Sequence, residues 1–223
     1  MLMGVFPYVA LALAIIVGIQ RRLHDPYTYS SLSSQFLENR SLFLGAIPWH
    51  FGILLVLLGH ILGMVVPGLV AWWNGSPVRL YILESTALTL GFLALFGMIV
   101  LLIRRFTDAR IRVVTSAMDV VLVILLLFQA FTGVFTALFY RWGSSWYISA
   151  AVPYLWSIFT FRPDVSFVSG LPLITKLHII NAWVLFVIFP FTRLVHLVSW
   201  PIGYLTRPYQ VVWWNKKSPQ GSY

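Results

Sequence analysis

Histidine is the residue type whose placement in this sequence most directly suggests chemistry. Four of the five histidines lie in long apolar stretches, His50 and His60 in one of them and His178 and His196 in another. The fifth, His24, lies in a polar segment and is assigned no role. Because an ionisable group inside a bilayer is costly, each of the four is a functional candidate.

The composition indicates a membrane protein. Of the 223 residues, 60% are hydrophobic and 9% are charged, whereas a soluble domain carries about 25% charged residues. Cysteine is absent, which excludes disulfides, thiolate metal sites and iron–sulfur clusters within this chain. Apolar runs of about twenty residues predict membrane-spanning helices. Five such runs are found, at residues 3–20, 43–66, 81–103, 118–140 and 173–200.

We therefore predict an all-α fold, an integral membrane five-helix bundle. Arginine and lysine are concentrated after the first, third and fifth spans, so these loops should be cytoplasmic. The N-terminus is then outside and the C-terminus cytoplasmic. Residues 1–200 should form the membrane domain and residues 201–223 a cytoplasmic tail. The net charge of +9 fits this loop asymmetry, and no nucleic-acid partner is expected.

The loop at residues 141–172 should face outside, and we predict a short helix on the outer membrane surface there. Its aromatic side chains suit the membrane–water interface, as do Trp72 and Trp73 in the preceding outer loop. The aromatic residues of the long loop in question are Trp142, Trp146, Tyr147, Tyr154 and Trp156.

Span orientation determines how the histidines pair. Span two runs outward and span five runs inward, so His50 should lie level with His196 and His60 with His178. A separation of eighteen residues is five helical turns, which predicts that His178 and His196 share one helix face. The predicted depths do not match fully, and a kink at Pro190 could absorb the difference.

Two facing histidines at each level favour haem. Zinc and di-iron sites need clustered ligands, often three or four residues apart on one helix. Haem iron takes one axial histidine from each side of the ring, so four histidines fit two b-type haems. The alternatives are histidines hydrogen-bonded in the core, or a proton relay. Gly52, Gly59 and Gly63 in span two indicate either close helix packing or room for a porphyrin.

Two long segments carry a resemblance to a known family. They read SSQFLENRSLFLGAIPWHFGILLVLLGHILGMVVPG and KLHIINAWVLFVIFPFTRLVHLVSWPIGYLTRPYQ. Together with RIRVVTSAMDVVLVILLLFQAFTG, they resemble the gamma subunit of respiratory nitrate reductase, a membrane cytochrome b. The resemblance extends over nearly the whole chain.

The resemblance implies oxidation of a membrane quinol, menaquinol or ubiquinol, near an outer haem held by His60 and His178. Electrons would pass to an inner haem held by His50 and His196. They would then reach the iron–sulfur beta subunit and the molybdenum-cofactor alpha subunit, where nitrate becomes nitrite. The chain would be a multi-pass protein of a bacterial or archaeal cell membrane, in contact with lipid.

The expected quinol site departs from the family pattern. By resemblance, Gly59 and His60 lie close to the quinol, but the lysine that the family often has near the start of span three is missing from GSPVRLYILES. Arg79 is the nearest cation. Lys176 could serve a propionate or a quinol oxygen, and Glu84 could accept a quinol proton.

Two arginines are candidate partners for the propionates of the inner haem, because guanidinium groups bind carboxylates in bidentate fashion. They are Arg193 and Arg112. We expect the tail to dock the iron–sulfur subunit.

Other functions stay open at this stage. A related cytochrome b could serve a sulfur-metabolism complex or a nitrite oxidiser, since the soluble partner decides the final substrate. A proton-coupled transporter would use the histidines as a relay, but the inverted repeats typical of transporters are not seen. A bare structural anchor would not need four buried histidines.

Overall fold

The computed structural model describes residues 2–25, 37, 38 and 40–198. The described part of the chain is helical and contains no strand. Five of its helices are long and apolar enough to cross a membrane, so the predicted all-α fold with five spans is confirmed. The tail at residues 201–223 lies outside the described residues, and so do Ser199 and Trp200.

The α-helices are numbered in chain order. They are α1 (Leu2–His24), α2 (Arg40–Val65), α3 (Pro67–Asn74), α4 (Pro77–Thr107), α5 (Ala109–Val113), α6 (Ala117–Phe139), α7 (Gly143–Trp146), α8 (Val152–Phe159), α9 (Ser166–Ser169) and α10 (Leu173–Ile188). A π-helical segment, Tyr147–Ala151, joins α7 to α8, and two 3₁₀ segments, Phe189–Phe191 and Arg193–Leu197, follow α10.

Local sequence signals explain where several helices begin. Pro67 and Pro77 open α3 and α4, because proline at the first helical position sacrifices no intrahelical hydrogen bond. Ser116 and Asp119 form a reciprocal capping box at the start of α6. The Asp108 side chain accepts two backbone N–H bonds at the start of α5.

The fifth span differs from the sequence prediction. Residues 173–200 were expected to form one kinked helix with His178 and His196 on a common face, and this is wrong. The α-helix ends at Ile188, and Thr192 is extended, with φ −122° and ψ 174°. Pro190 supplies no N–H to continue the α-helical ladder, so the chain tightens and then restarts as a 3₁₀ turn. The two histidines therefore lie on separate elements.

Helices α2 and α4 pack closely because glycines line their interface. A Cβ on Gly52 would lie 2.6 Å from the Leu90 carbonyl oxygen, and one on Gly97 would lie 2.5 Å from the Gly45 carbonyl oxygen. Backbones approach this closely only where side chains are missing. The packing role of Gly52 is confirmed. Gly63 instead faces the ring of Tyr147, and a Cβ added to Gly63 would lie 2.8 Å from that ring.

Charged residues join the helices at one end of the bundle. Arg104 donates to the Glu38 carboxylate at 2.7 Å, and both Arg105 and Arg193 pair with Asp119, at 3.3 and 2.5 Å. We call this the basic end. It ties the end of α4 and the start of α6 to the 3₁₀ segment that carries His196.

Aromatic residues join the helices at the opposite end, which we call the aromatic end. Tyr8 donates to the Ile158 carbonyl oxygen, and Tyr154 donates to that of Met3 at 2.7 Å. Trp156 donates to the Met64 carbonyl oxygen at 3.0 Å. The long loop holds several short helices rather than one. Tyr154 is fully buried, so it is a core residue and the prediction of an interfacial role for it is wrong.

Candidate haem-binding site

The four span histidines occupy two helices and one short segment. His50 and His60 lie on α2, His178 lies on α10, and His196 lies on the 3₁₀ segment Arg193–Leu197. The structure brings the rings of His50 and His196 together, with centroids 6.1 Å apart and planes inclined at 64°. His60 packs against Tyr147, and His178 packs against Gln129 and Thr132 of α6. The predicted neighbours His50 and His196 are adjacent, and the pairing of His60 with His178 stays a prediction.

Backbone carbonyls fix the protonation of three imidazoles. The Nδ1 atoms of His50, His60 and His196 lie 2.7, 2.8 and 2.6 Å from the carbonyl oxygens of Ala46, Val56 and Arg193. A carbonyl can only accept, so each Nδ1 carries a proton and donates it, and Nε2 is the ring nitrogen that this carbonyl does not engage. Histidines that bind metals commonly donate their second nitrogen in this way.

The ring separation of His50 and His196 fits one metal held between them. A metal–imidazole bond is about 2.0 Å, and the ring centroid lies about 1.1 Å beyond the nitrogen. Two axial imidazoles on one iron therefore have centroids about 6.2 Å apart. The observed 6.1 Å agrees with this value. Two imidazoles that use Nδ1 for backbone carbonyls and leave Nε2 for another partner are a donor set that would suit a b-type haem.

Tyr147 packs against His60. Their ring centroids are 5.0 Å apart in an edge-to-face arrangement, and the Tyr147 hydroxyl donates to the His60 carbonyl oxygen at 3.0 Å. Gly63 provides the space for the tyrosine ring one turn further along α2. Burial raises the pKa of Tyr147 to about 12, so it is a neutral hydrogen-bond donor at physiological pH.

Side chains of α6 surround His178. Its Nδ1 lies 2.9 Å from the Thr132 hydroxyl oxygen, and its Nε2 lies 3.0 Å from the Gln129 amide nitrogen. A Cβ on Gly133 would lie 3.1 Å from the His178 ring, so the ring rests on bare backbone there. Asn181, one turn along α10, donates to the Gln129 amide oxygen at 2.7 Å.

The comparison with known proteins assigns the family. The nitrate reductase gamma subunit family matches residues 1–215. The chain belongs to the nitrate reductase gamma subunit family.

Individual relatives agree over nearly their whole length. The nitrate reductase gamma chain of Bacillus subtilis (strain 168) is 37% identical over 214 residues, covering 94% of this chain and 96% of the relative. The respiratory nitrate reductase 1 and 2 gamma chains of Escherichia coli (strain K12) are 33% and 34% identical. Each alignment covers 93% of this chain, and 94% and 93% of the two relatives. The resemblance noted in the sequence is thereby confirmed.

The two arginines predicted to bind haem propionates lie in surroundings that differ from each other. Arg193 forms two bonds to the Asp119 carboxylate, at 2.5 and 3.0 Å. It lies three residues before His196 and helps to fix the segment that carries this histidine. Arg112 lies exposed on α5.

The cations expected near the quinol contact main-chain oxygens. The Arg79 guanidinium donates to the carbonyl oxygens of Trp72 and Trp73, at 2.9 and 3.0 Å, and its Cζ lies 4.6 Å from the Trp72 ring centroid. Lys176 donates to the Ser169 carbonyl oxygen at 2.6 Å. Neither contact joins the cation to His60 or His178.

Glu84 and Gly59, the other two residues predicted near the quinol, do not contact each other's neighbours: Glu84 bonds to α7, and Gly59 faces open space. The Glu84 carboxylate accepts from the Ser144 amide and hydroxyl, at 2.8 and 2.6 Å, which ties α4 to α7 just before Tyr147. Gly59 has no neighbour within 4 Å of the place where a Cβ would lie. It therefore plays no part in helix packing, in contrast to Gly52.

Sequence reasoning missed the side chains that surround the predicted ligands. Gln129, Thr132 and Asn181 are polar residues within apolar spans, and that rarity is a signal that could have identified them. Gln129 and Thr132 are three residues apart on α6, as His178 and Asn181 are on α10, so each pair shares a helix face. Among the described residues, no group of three or more histidine, cysteine, aspartate or glutamate side chains could hold a metal ion.

Proposed function

We propose that the chain is the di-haem cytochrome b subunit of a respiratory nitrate reductase. It takes electrons from a membrane quinol near its outer face. It delivers them to iron–sulfur and molybdenum-cofactor subunits on the cytoplasmic side, which reduce nitrate to nitrite. The family match and the five apolar helices support a membrane subunit of this complex.

One observation carries the proposal beyond family membership. The centroids of the His50 and His196 rings lie 6.1 Å apart, a separation that would suit one iron held between the two imidazoles. Both rings have their Nδ1 protons committed to carbonyls, so the nitrogens that remain are the two that bind metal.

We assign His50 and His196 to the inner haem and His60 and His178 to the outer haem. When bound, haem supplies reversible one-electron chemistry between ferric and ferrous iron. The protein contributes neutral imidazole ligands of fixed tautomer in a low-dielectric environment. The Asp119–Arg193 ion pair fixes the 3₁₀ segment that carries His196.

We assign quinol oxidation to the aromatic end, around Gly59 and His60. The open surface at Gly59 leaves room for a planar ring. Glu84 is the carboxylate that the fold ties to this end, through Ser144, and is the candidate acceptor for a quinol proton. Arg79 and Lys176 are retained as candidate donors to quinol oxygens or propionates.

The basic end is assigned to the cytoplasm and the aromatic end to the outside, following the distribution of arginine and lysine. Protons from quinol are then released outside. The soluble subunits dock at the basic end, and the tail at residues 201–223 contributes to this interface. Deleting the tail should release the soluble subunits from membranes while both haems remain, and unchanged attachment would exclude this role.

The decisive experiment is a reduced-minus-oxidised spectrum of the purified chain, with haem quantified per polypeptide. We expect two low-spin b haems with distinct midpoint potentials, both reducible by a quinol analogue. A well-folded preparation without haem would overturn the proposal.

A further inference from the structure

A chain of hydrogen bonds connects α10 to α6 through the ring of His178. Asn181 donates from its Nδ2 to the Leu125 carbonyl oxygen at 3.0 Å and to the Gln129 Oε1 at 2.7 Å. The Gln129 Nε2 lies 3.0 Å from the His178 Nε2. On the other side of the ring, the His178 Nδ1 lies 2.9 Å from the Thr132 Oγ1.

Backbone carbonyls at both ends fix the direction of every bond in this chain. The Leu125 carbonyl can only accept, so the Asn181 atom facing it is the NH₂ group. The same NH₂ group faces Gln129, whose facing atom must therefore be the amide oxygen. The Gln129 NH₂ group then points at His178, and Nε2 must accept.

The hydrogen bond between Thr132 and the His178 ring leads to the same assignment of the proton to Nδ1. The Thr132 hydroxyl lies 2.8 Å from the Phe128 carbonyl oxygen, one turn back on α6, and donates its single proton there. Thr132 can then only accept from His178, so Nδ1 carries the proton. Both ends require a neutral His178 with a proton at Nδ1 and a lone pair at Nε2.

We propose that Thr132 is a positioning residue for His178, oriented so that Nε2 would be the ligand of the outer haem, and that Asn181 and Gln129 set the same tautomer before haem binds. This inference rests on the proposed function. Haem binding at Nε2 would require the Gln129 amide, which lies 3.0 Å from that atom, to turn aside. The bond from Nδ1 to Thr132 would remain, would strengthen the imidazole as an electron donor and would favour ferric over ferrous iron.

The test is Thr132→Val in the full chain, followed by a redox titration of both haems. Valine has nearly the same shape as threonine but cannot accept a hydrogen bond. We expect the midpoint potential of one haem to become more positive while the other is unchanged. We also expect haem affinity at that site to fall about 10- to 100-fold. Thr132→Ser, which keeps the hydroxyl, should restore both values.

A matched control lies one turn further along α6. Thr136 is also buried, but its hydroxyl pairs with Thr175 at 3.4 Å and not with a histidine. Thr136→Val removes the same group from the same helix, so it should leave both potentials unchanged. An equal shift in this variant would mean that loss of a buried hydroxyl, and not of the bond to His178, causes the effect.

A second variant acts from the other side of the ring. Asn181→Leu releases the Gln129 amide, which can then turn its oxygen toward His178 and favour a proton at Nε2. We expect haem per chain to fall from two toward one. This variant carries the test if Thr132→Val does not assemble.

Failure of the inference is distinguishable from failure of the proposed function. If the wild-type chain binds two haems but neither Thr132→Val nor Asn181→Leu alters one of them, the positioning role is overturned and the proposed function stands. If the wild-type chain binds no haem, both are overturned.

Discussion

The two histidine pairs are held in place by different means. His50 and His196 at the basic end depend on main-chain carbonyls and on an ion pair, since His196 lies on a short 3₁₀ segment fixed through Arg193 and Asp119. His178 lies on a continuous α-helix and depends on the side chains of Thr132 and Gln129. The basic end should therefore be sensitive to charge, and His178 to single hydrogen-bonding groups.

Replacing a histidine should give the largest effect. His60→Ala or His178→Ala should leave one haem per chain and reduce quinol-driven nitrate reduction by at least about 100-fold, because the site next to the quinol is lost. An artificial donor that reduces the soluble subunits directly should still support turnover. Pyridine haemochrome quantification and activity with both donors provide the measurements. Two haems in either variant would contradict the pairing.

The ion cluster at the basic end provides the second test. Asp119→Asn leaves Arg105 and Arg193 together without their shared carboxylate, which should cost about 3 kcal/mol because the cluster is largely buried. The haem held by His50 and His196 should be lost first, while the outer haem remains. Thermal unfolding in detergent and haem content per chain measure both effects.

Asp108→Asn is the matched control for the ion cluster. Asp108 pairs with the exposed Arg110 at 3.6 Å, and asparagine can still cap α5. We expect no change in haem content. Equal loss of both haems in Asp119→Asn would show that the ends of the bundle are not held independently.

Substitutions at two glycines of α2 should distinguish a role in helix packing from a role in ligand binding. Gly52→Ala should destabilise the bundle by about 1–3 kcal/mol, because its Cβ would meet backbone atoms of Leu90 and Ala94 on α4. Gly59→Ala meets no protein atom within 4 Å, so the unfolding temperature should be unchanged. If quinol binds there, KM for a quinol analogue should rise several-fold. An unchanged KM would remove Gly59 from the quinol site.

Low pH should modestly reduce the stability that the Glu38–Arg104 bond contributes at the basic end. The hydrogen bond from Arg104, above all, holds the pKa of Glu38 below its ordinary value of 4.5. The stability that this shift contributes is fully present above pH 4.5 and is lost as the pH falls through the lowered pKa of the folded state. Glu38→Gln should therefore lower the unfolding temperature at pH 7 and flatten its decline below pH 4.5. An identical decline in both proteins would exclude Glu38 as the titrating group.

The sequence was sufficient for the five apolar spans, because apolar length is a local signal. It was not sufficient for the end of span five. A single Pro190 is compatible with a kink or with a break, and the carboxylate of Asp119 that stabilises the break lies more than 70 residues away. The surroundings of His178 likewise depend on which faces of α6 and α10 meet, which one sequence does not specify.

The bonds at the aromatic end also have a consequence for the order of events during synthesis. The first helix packs against α10, against α8 and against the segment Phe189–Phe191, and its Tyr8 bonds to Ile158, 150 residues later in the chain. At about 5–20 residues per second, roughly 8–30 seconds separate the emergence of these two residues from the ribosome. Helix α1 must therefore wait among lipids until these later partners have been synthesised.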